Sequence, residues 1–179
     1  MRRFAPVMLV ALICLPSTVL AQSVAQPRTW TATPFLNVAF GTNAPTGGGG
    51  IGAAVGYDLT SNLGFEGEVG HIFDVAGDDQ NVDWSVTSFS ANAVYHFDVV
   101  HVTPYATAGI GFERSSVDNP DGVATIPPSS TEVLVNFGGG IKYPVSSRLL
   151  ARADLRRFQA NDRAPDFWRL YGGLTFTIK

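Results

Sequence analysis

Hydrophobic and polar residues alternate one for one through most of this 179-residue chain, the period that places successive side chains on opposite faces of a β-strand. The final segment shows it plainly: Trp168, Leu170, Leu174, Phe176 and Ile178 alternate with Arg169, Tyr171, Gly173, Thr175 and Thr177. The same period runs through residues 51–59, 63–73, 88–97, 102–113, 132–143 and 148–156. An eighth run, 30–41, carries Leu36, Val38 and Phe40 on one face and Thr33 and Asn37 on the other. Pro34 cannot donate to a ladder, so that first strand is expected to begin near it. No segment has the period of an amphipathic helix. The pattern predicts an all-β chain of eight strands.

Short connections at 60–62, 98–100 and 144–146 alternate with longer ones at 42–49, 74–82, 114–130 and 160–165. Short turns on one side and longer loops on the other are the plan of an antiparallel up-and-down transmembrane β-barrel. Its turns, and with an even strand number both its termini, are then expected in the periplasm. A soluble lipocalin-type barrel would also alternate, with its apolar face inward. Two features favour an apolar exterior. The non-apolar face is rich in glycine (Gly50, Gly52, Gly56, Gly64, Gly70, Gly109, Gly111, Gly138, Gly140, Gly173), which suits the crowded interior of a narrow barrel. The apolar face carries aromatics near strand ends, namely Phe40, Tyr57, Phe65, Phe73, Phe97, Phe112, Tyr143, Trp168 and Phe176. These positions predict an interfacial girdle.

Composition then fits. The chain is 45% hydrophobic and 15% charged, with a mean hydropathy of +0.13, and alternation accounts for that apolar content without a spanning helix. Few charges and 11% aromatics exclude a disordered chain. Twelve Lys and Arg against fifteen Asp and Glu leave no cationic excess, so no nucleic-acid partner is expected. Arg2 and Arg3, the apolar run 4–15 and Val19-Leu20-Ala21 read as a cleavable signal peptide over 1–21. A short segment, 22–28, then precedes a barrel over 29–179. Cys14 lies inside the apolar run after Ile13, which is not small, so a lipoprotein is not expected. Cleavage would remove the one cysteine, leaving no thiol to mispair in an oxidising compartment.

Charges on the inward face are the candidate site. Glu66 and Glu68 on the third strand and Arg152, Asp154 and Arg156 on the seventh are opposite one another across an eight-stranded ring. They predict a lumenal ion-pair network, which Lys142 and Asp58 extend toward the turns and Arg169 toward the outer rim. Buried charges need partners, so a structural role is the first reading. A gate that leaks small ions when pairs exchange is the alternative. His71, His96 and His101 fall at different heights and cannot converge into a catalytic group, and no Ser-His-Asp order is evident. Asp74, Asp78, Asp79, Asp83, Asp118 and Asp121 lie in or beside outer loops without the spacing of a calcium loop. No metal, cofactor or catalysis is expected. Arg157, outward at the top of the seventh strand, is placed to reach a phosphate headgroup.

Residues 89–97 (FSANAVYHF), 102–114 (VTPYATAGIGFER) and 137–158 (FGGGIKYPVSSRLLARADLRRF) resemble the small outer-membrane β-barrel family, the OmpA/OmpX-type eight-stranded domain. The resemblance covers essentially the whole chain after the signal segment. It implies the fold but not one function, because this fold hosts many. The chain departs from the family pattern in ending Phe176-Thr177-Ile178-Lys179 rather than on an aromatic. No peptidoglycan-binding domain is expected after the barrel, so anchoring to the cell wall is not implied. The partners expected are outer-membrane lipids, lipopolysaccharide and the barrel-assembly machinery, with the protein monomeric. An envelope-integrity or surface-interaction role leads. An ion-leak channel, an adhesin acting through the outer loops and a lipid-modifying enzyme are the rivals.

Overall fold

A computed structural model describes residues 26–41, 48–73, 83–118, 129–160 and 167–178; the signal segment expected over 1–21 lies outside them. Eight strands form in chain order: β1 (Thr29–Phe40), β2 (Gly49–Asp58), β3 (Leu63–Ile72), β4 (Asp83–His96), β5 (Thr103–Asp118), β6 (Ser129–Pro144), β7 (Leu149–Ala160) and β8 (Phe167–Ile178). Each pairs antiparallel with its chain neighbours, and β1 closes on β8 into a barrel. Short turns join β2–β3, β4–β5 and β6–β7 at one end, called here the turn end; the other is the loop end. Thr29 and Ile178 both lie at the turn end.

Register fixes the barrel's dimensions. Stepping across the strands from Glu113 through Ser88, Gly70, Gly52, Phe35, Gly173, Arg152 and Lys142 returns to β5 at Thr103. The circuit therefore closes ten residues below its start. With a rise of about 3.3 Å and a strand spacing of about 4.8 Å, that shear tilts the strands by about 40° around a backbone radius of about 8 Å. Each residue then climbs roughly 2.5 Å along the barrel axis.

The apolar face points outward: Leu36 is 67% exposed and Ile110 59%, whereas Arg156 and Arg169 are wholly buried. This is the reverse of a lipocalin. Phe40, Phe73, Phe112 and Trp168 ring the loop end, and Trp30, Tyr57, Tyr95, Phe97, Tyr143 and Phe176 ring the turn end. Phe65 lies one step inside the second ring. The rings stand roughly 22 Å apart, close to the ~25 Å apolar band of a transmembrane barrel. Midway between them many outward positions are small (Ala53, Gly67, Ala93, Ala108, Gly139, Ala153 and Gly172), with Leu36 and Leu155 paired opposite Gly172 and Gly139.

Individual glycines meet different surroundings. A Cβ at outward Gly172 would touch nothing, but one at inward Gly173 would lie 2.9 Å from Phe35 Cβ and one at Gly138 would lie 2.7 Å from Arg156 Cα. Inward glycines thus make the room that large lumenal side chains occupy.

Two expectations require correction. β1 begins at Thr29, five residues before Pro34, and Pro34 sits inside it. The β1–β8 pairing lapses at Thr33 and Pro34 and resumes at Phe35, so the missing N–H costs a ladder bond only locally. The connection placed at 114–130 is also shorter. Arg114, Ser115 and Ser116 pair with Thr131, Ser130 and Ser129, a polar stretch of sheet whose pattern carries no apolar alternation because it stands beyond the apolar band.

Candidate functional site

The inward side chains of β3 and β7 meet across the lumen halfway between the aromatic rings. Glu66 takes a bidentate pair from Arg152, at 2.5 Å from Nη1 and 3.0 Å from Nη2, and a third contact from Arg156 Nη2 at 3.1 Å. Arg156 Nη1 donates to Glu68 at 2.9 Å. Asp154 lies between the two arginines on their own strand, 2.9 Å from Arg152 Nε and 3.3 Å from Arg156 Nε. Alternation puts these three residues on one face of β7, and eight-strand closure puts that face opposite Glu66 and Glu68. All five are buried. Three carboxylates surround two guanidiniums, and each charge has at least one opposite partner within 4.0 Å.

Two phenols complete the cluster. Tyr105 Oη donates to Asp154 and accepts from Arg152 Nε at 2.7 Å. Tyr171 Oη donates to Glu68 at 2.9 Å, and Arg156 lies 4.9 Å from its ring centroid. Both tyrosines read in the sequence only as members of the inward face. The signal for their role was present, since a buried phenol normally finds a hydrogen-bond partner.

Lys142 and Arg169 are inward, as expected, but their contacts differ. Among the described residues no carboxylate comes within 4.0 Å of Lys142; its Nζ sits 2.9 Å from His96 Nε2 and over the Tyr105 ring. The shear explains this, because Lys142 lies near the turn-end mouth, level with His96 and below Glu66. Asp58 is buried at that level too. Arg169 lies 4.2 Å from the Phe158 centroid and donates from Nη1 to Ser88 Oγ at 2.9 Å. Glu113, the register partner of Ser88, is buried nearby with Oε2 unpaired.

Above the cluster the lumen changes character. Ala39, Ile72, Val86, Leu134, Phe158 and Phe167 come from six strands to one level at the loop end, each at most 6% exposed. Phe158 and Phe167 stack at 5.3 Å with their planes 2° apart. These residues form a largely apolar layer across the mouth, with the inward carboxylate of Glu113 on β5 at the same level. From the turn end inward, the sequence of layers is polar mouth, ion-pair cluster and apolar seal.

The histidines stay apart. His71 is outward near the loop-end ring, with Nδ1 2.8 Å from Thr87 Oγ1; His96 is buried low on β4, and His101 is exposed in the β4–β5 turn. Arg157 stacks over Trp168 at 5.6 Å on the outer surface. Asp74, Asp78, Asp79 and Asp121 lie outside the described residues.

Residues 7–176 match a protein family described as the outer membrane protein β-barrel domain. The fold is shared with the N-terminal barrel of Pseudomonas aeruginosa OprF (21% identity, 85% of this chain and 98% of that chain, TM-score 0.65). It is shared also with Neisserial surface protein A (21% identity, 84% and 96%, TM-score 0.67). A third similar structure is Ail, the attachment invasion locus protein of Yersinia pestis, solved with the heparin analogue sucrose octasulfate (13% identity, 84% and 97%, TM-score 0.59). No curated protein matches the chain in sequence.

Proposed function

The chain belongs to the outer membrane protein β-barrel domain family, and from that premise we propose that it is a structural barrel, neither channel nor enzyme, that supports the integrity of the outer membrane. The observation that carries this reading is the lumen. Its midplane is filled by Glu66, Glu68, Arg152, Asp154 and Arg156, and its loop-end mouth is spanned by the apolar layer around Phe158. An eight-stranded barrel has room only for side chains, and an apolar constriction excludes ions by staying dry. The three histidines lie at separate depths, and among the described residues no nucleophile converges on them, which supports a non-catalytic role. In this reading a leader exports the chain, the assembly machinery inserts it as a monomer, and turns and termini face the periplasm. Arg157, beside Trp168, meets lipopolysaccharide phosphate at the outer rim.

Deleting the gene tests the proposal: sensitivity to detergent with chelator should rise and a periplasmic enzyme should leak, with rescue by the wild-type chain. An unchanged barrier would overturn it.

One feature favours surface interaction as a second role. β4, β5 and β6 run past their neighbours at the loop end, since β3 stops opposite Val86 and β7 stops opposite Leu134. The projecting part is polar, with Ser115, Ser116, Ser130 and Thr131 around Arg114 and Glu132. Without a cationic excess among these residues, it does not suit a sulfated ligand like the heparin analogue solved with Ail.

A further inference from the structure

The turn end carries exposed apolar side chains where water-facing turns are ordinarily polar. Leu59 in the β2–β3 turn is 47% exposed, Val99 and Val100 in the β4–β5 turn 53% and 64%, and Val145 in the β6–β7 turn 54%. Ile178, at the end of β8, is 51% exposed. One such group thus occupies each quarter of the rim. Leu59, Val99, Val145 and Ile178 continue the outward series of their strands, each two residues past an aromatic of the turn-end ring: Tyr57, Phe97, Tyr143 and Phe176. The apolar surface therefore does not stop at that ring, as it would if the turns stood free in water.

Basic side chains alternate with these positions. The Arg28 and Arg148 guanidiniums and the His101 imidazole are exposed at the same rim. Arg28 and His101 are also the two non-glycine residues with left-handed backbone among those described, at φ 58° and 75°, a conformation held only where the surroundings impose it. The rim is laced together. Asn62 Nδ2 donates to His96 O and to Asp98 Oδ2, both at 3.0 Å; Arg28 N donates to Asp58 O, and Thr177 N donates to Arg148 O. The exposed carboxylate of Asp98 is thereby engaged by an amide. The turns form a braced ring with apolar tips and basic side chains between them.

We infer that this ring is a docking surface for anionic phospholipid headgroups: the turns lie within the headgroup layer of the leaflet they reach, with Arg28, His101 and Arg148 on its phosphates. The inference rests on the transmembrane reading. Continuity of the apolar face with the lipid-facing surface and charge complementarity both select lipid as the occupant. Amphipathic rims of this composition bind anionic interfaces through apolar insertion and electrostatic attraction together.

The test places a nitroxide at Val145→Cys, Val100→Cys or Gly172→Cys, the last an outward position open to a side chain, in a Cys14→Ser background. The protein is reconstituted in phosphatidylcholine vesicles with and without phosphatidylglycerol, and heat-modifiable gel mobility confirms folding of each variant. Collisions with oxygen and with a water-soluble nickel chelate report depth. Labels at 145 and 100 are expected to favour oxygen, more strongly with phosphatidylglycerol present, and the added effect should vanish in Arg28→Gln/Arg148→Gln. Nickel-dominated labels at both sites, or a profile indifferent to phosphatidylglycerol, would overturn the inference while the 172 label still reported hydrocarbon. A nickel-dominated 172 label would instead overturn the transmembrane reading. Protection appearing only on addition of a periplasmic protein extract would assign the ring to a protein and overturn the lipid inference.

Discussion

Glu66→Gln is the most informative perturbation of the lumen. The substitution keeps size and shape but removes the carboxylate that accepts from Arg152 twice and from Arg156 once. Arg156 keeps Glu68 and Asp154, and Arg152 keeps Asp154 and the Tyr105 hydroxyl. Two guanidiniums would then share two carboxylates, with an amide NH₂ turned toward one of them. Removing one member of a buried ion pair typically costs about 3–5 kcal/mol, because a charge is left uncompensated. The glutamine oxygen still accepts in place of one carboxylate oxygen, and Asp154 and Glu68 still oppose the two guanidiniums, so the lower end of that range is expected, about a hundredfold in the unfolding equilibrium. Urea titration of the protein reconstituted in vesicles, followed by fluorescence of its three tryptophans, measures it. Glu113→Gln is the matched control: Glu113 is as buried as Glu66, but its Oε2 has no partner. Neutralising it should be neutral or stabilising, since an ill-paired buried charge is itself a cost. The double substitution Glu66→Leu/Arg152→Leu should recover most of the loss, because well-packed apolar pairs often match buried ion pairs. A Glu66→Gln loss below ~1 kcal/mol, or equal losses at Glu66 and Glu113, would refute this account of the cluster.

Further outcomes follow from the same geometry. Tyr105→Phe removes the hydroxyl that links Asp154 to Arg152 and should cost about 1–3 kcal/mol in the same titration, as for a buried group left unsatisfied. Gly138→Val should prevent the heat-modifiable mobility shift of a folded barrel, because its Cβ would strike the β7 backbone, whereas Gly172→Val, facing outward into open space, should retain it. Arg157→Ala should weaken the barrel in lipopolysaccharide-containing vesicles more than in phosphatidylcholine, and equal loss in both would remove Arg157 from headgroup binding.

The strand count, the two faces and the pairing of Glu66 and Glu68 with the β7 charges were legible because a period of two is a geometric consequence of the extended backbone. Closure and shear were not written locally. They emerge from the sum of eight registers, and they decide that Lys142 lies beside His96 rather than beside Glu66. Strand extensions at 114–118 and 129–131 escaped notice for the opposite reason: they project past the apolar band, so Ser115, Ser116, Ser129 and Ser130 have no apolar alternation to reveal them. The seal around Phe158 was hidden in single apolar residues on otherwise polar faces. Ile72, Val86 and Leu134 each break their strand's alternation, and only the register shows that they break it at one height.

Whether that seal closes the lumen is the central question, and single-channel recording in planar bilayers answers it most directly. The wild-type barrel should insert without conductance steps, whereas Phe158→Ala, which removes one of the stacked rings spanning the mouth, should show brief openings. Stable ohmic conductance from the wild-type protein, unchanged by Phe158→Ala, would contradict the account.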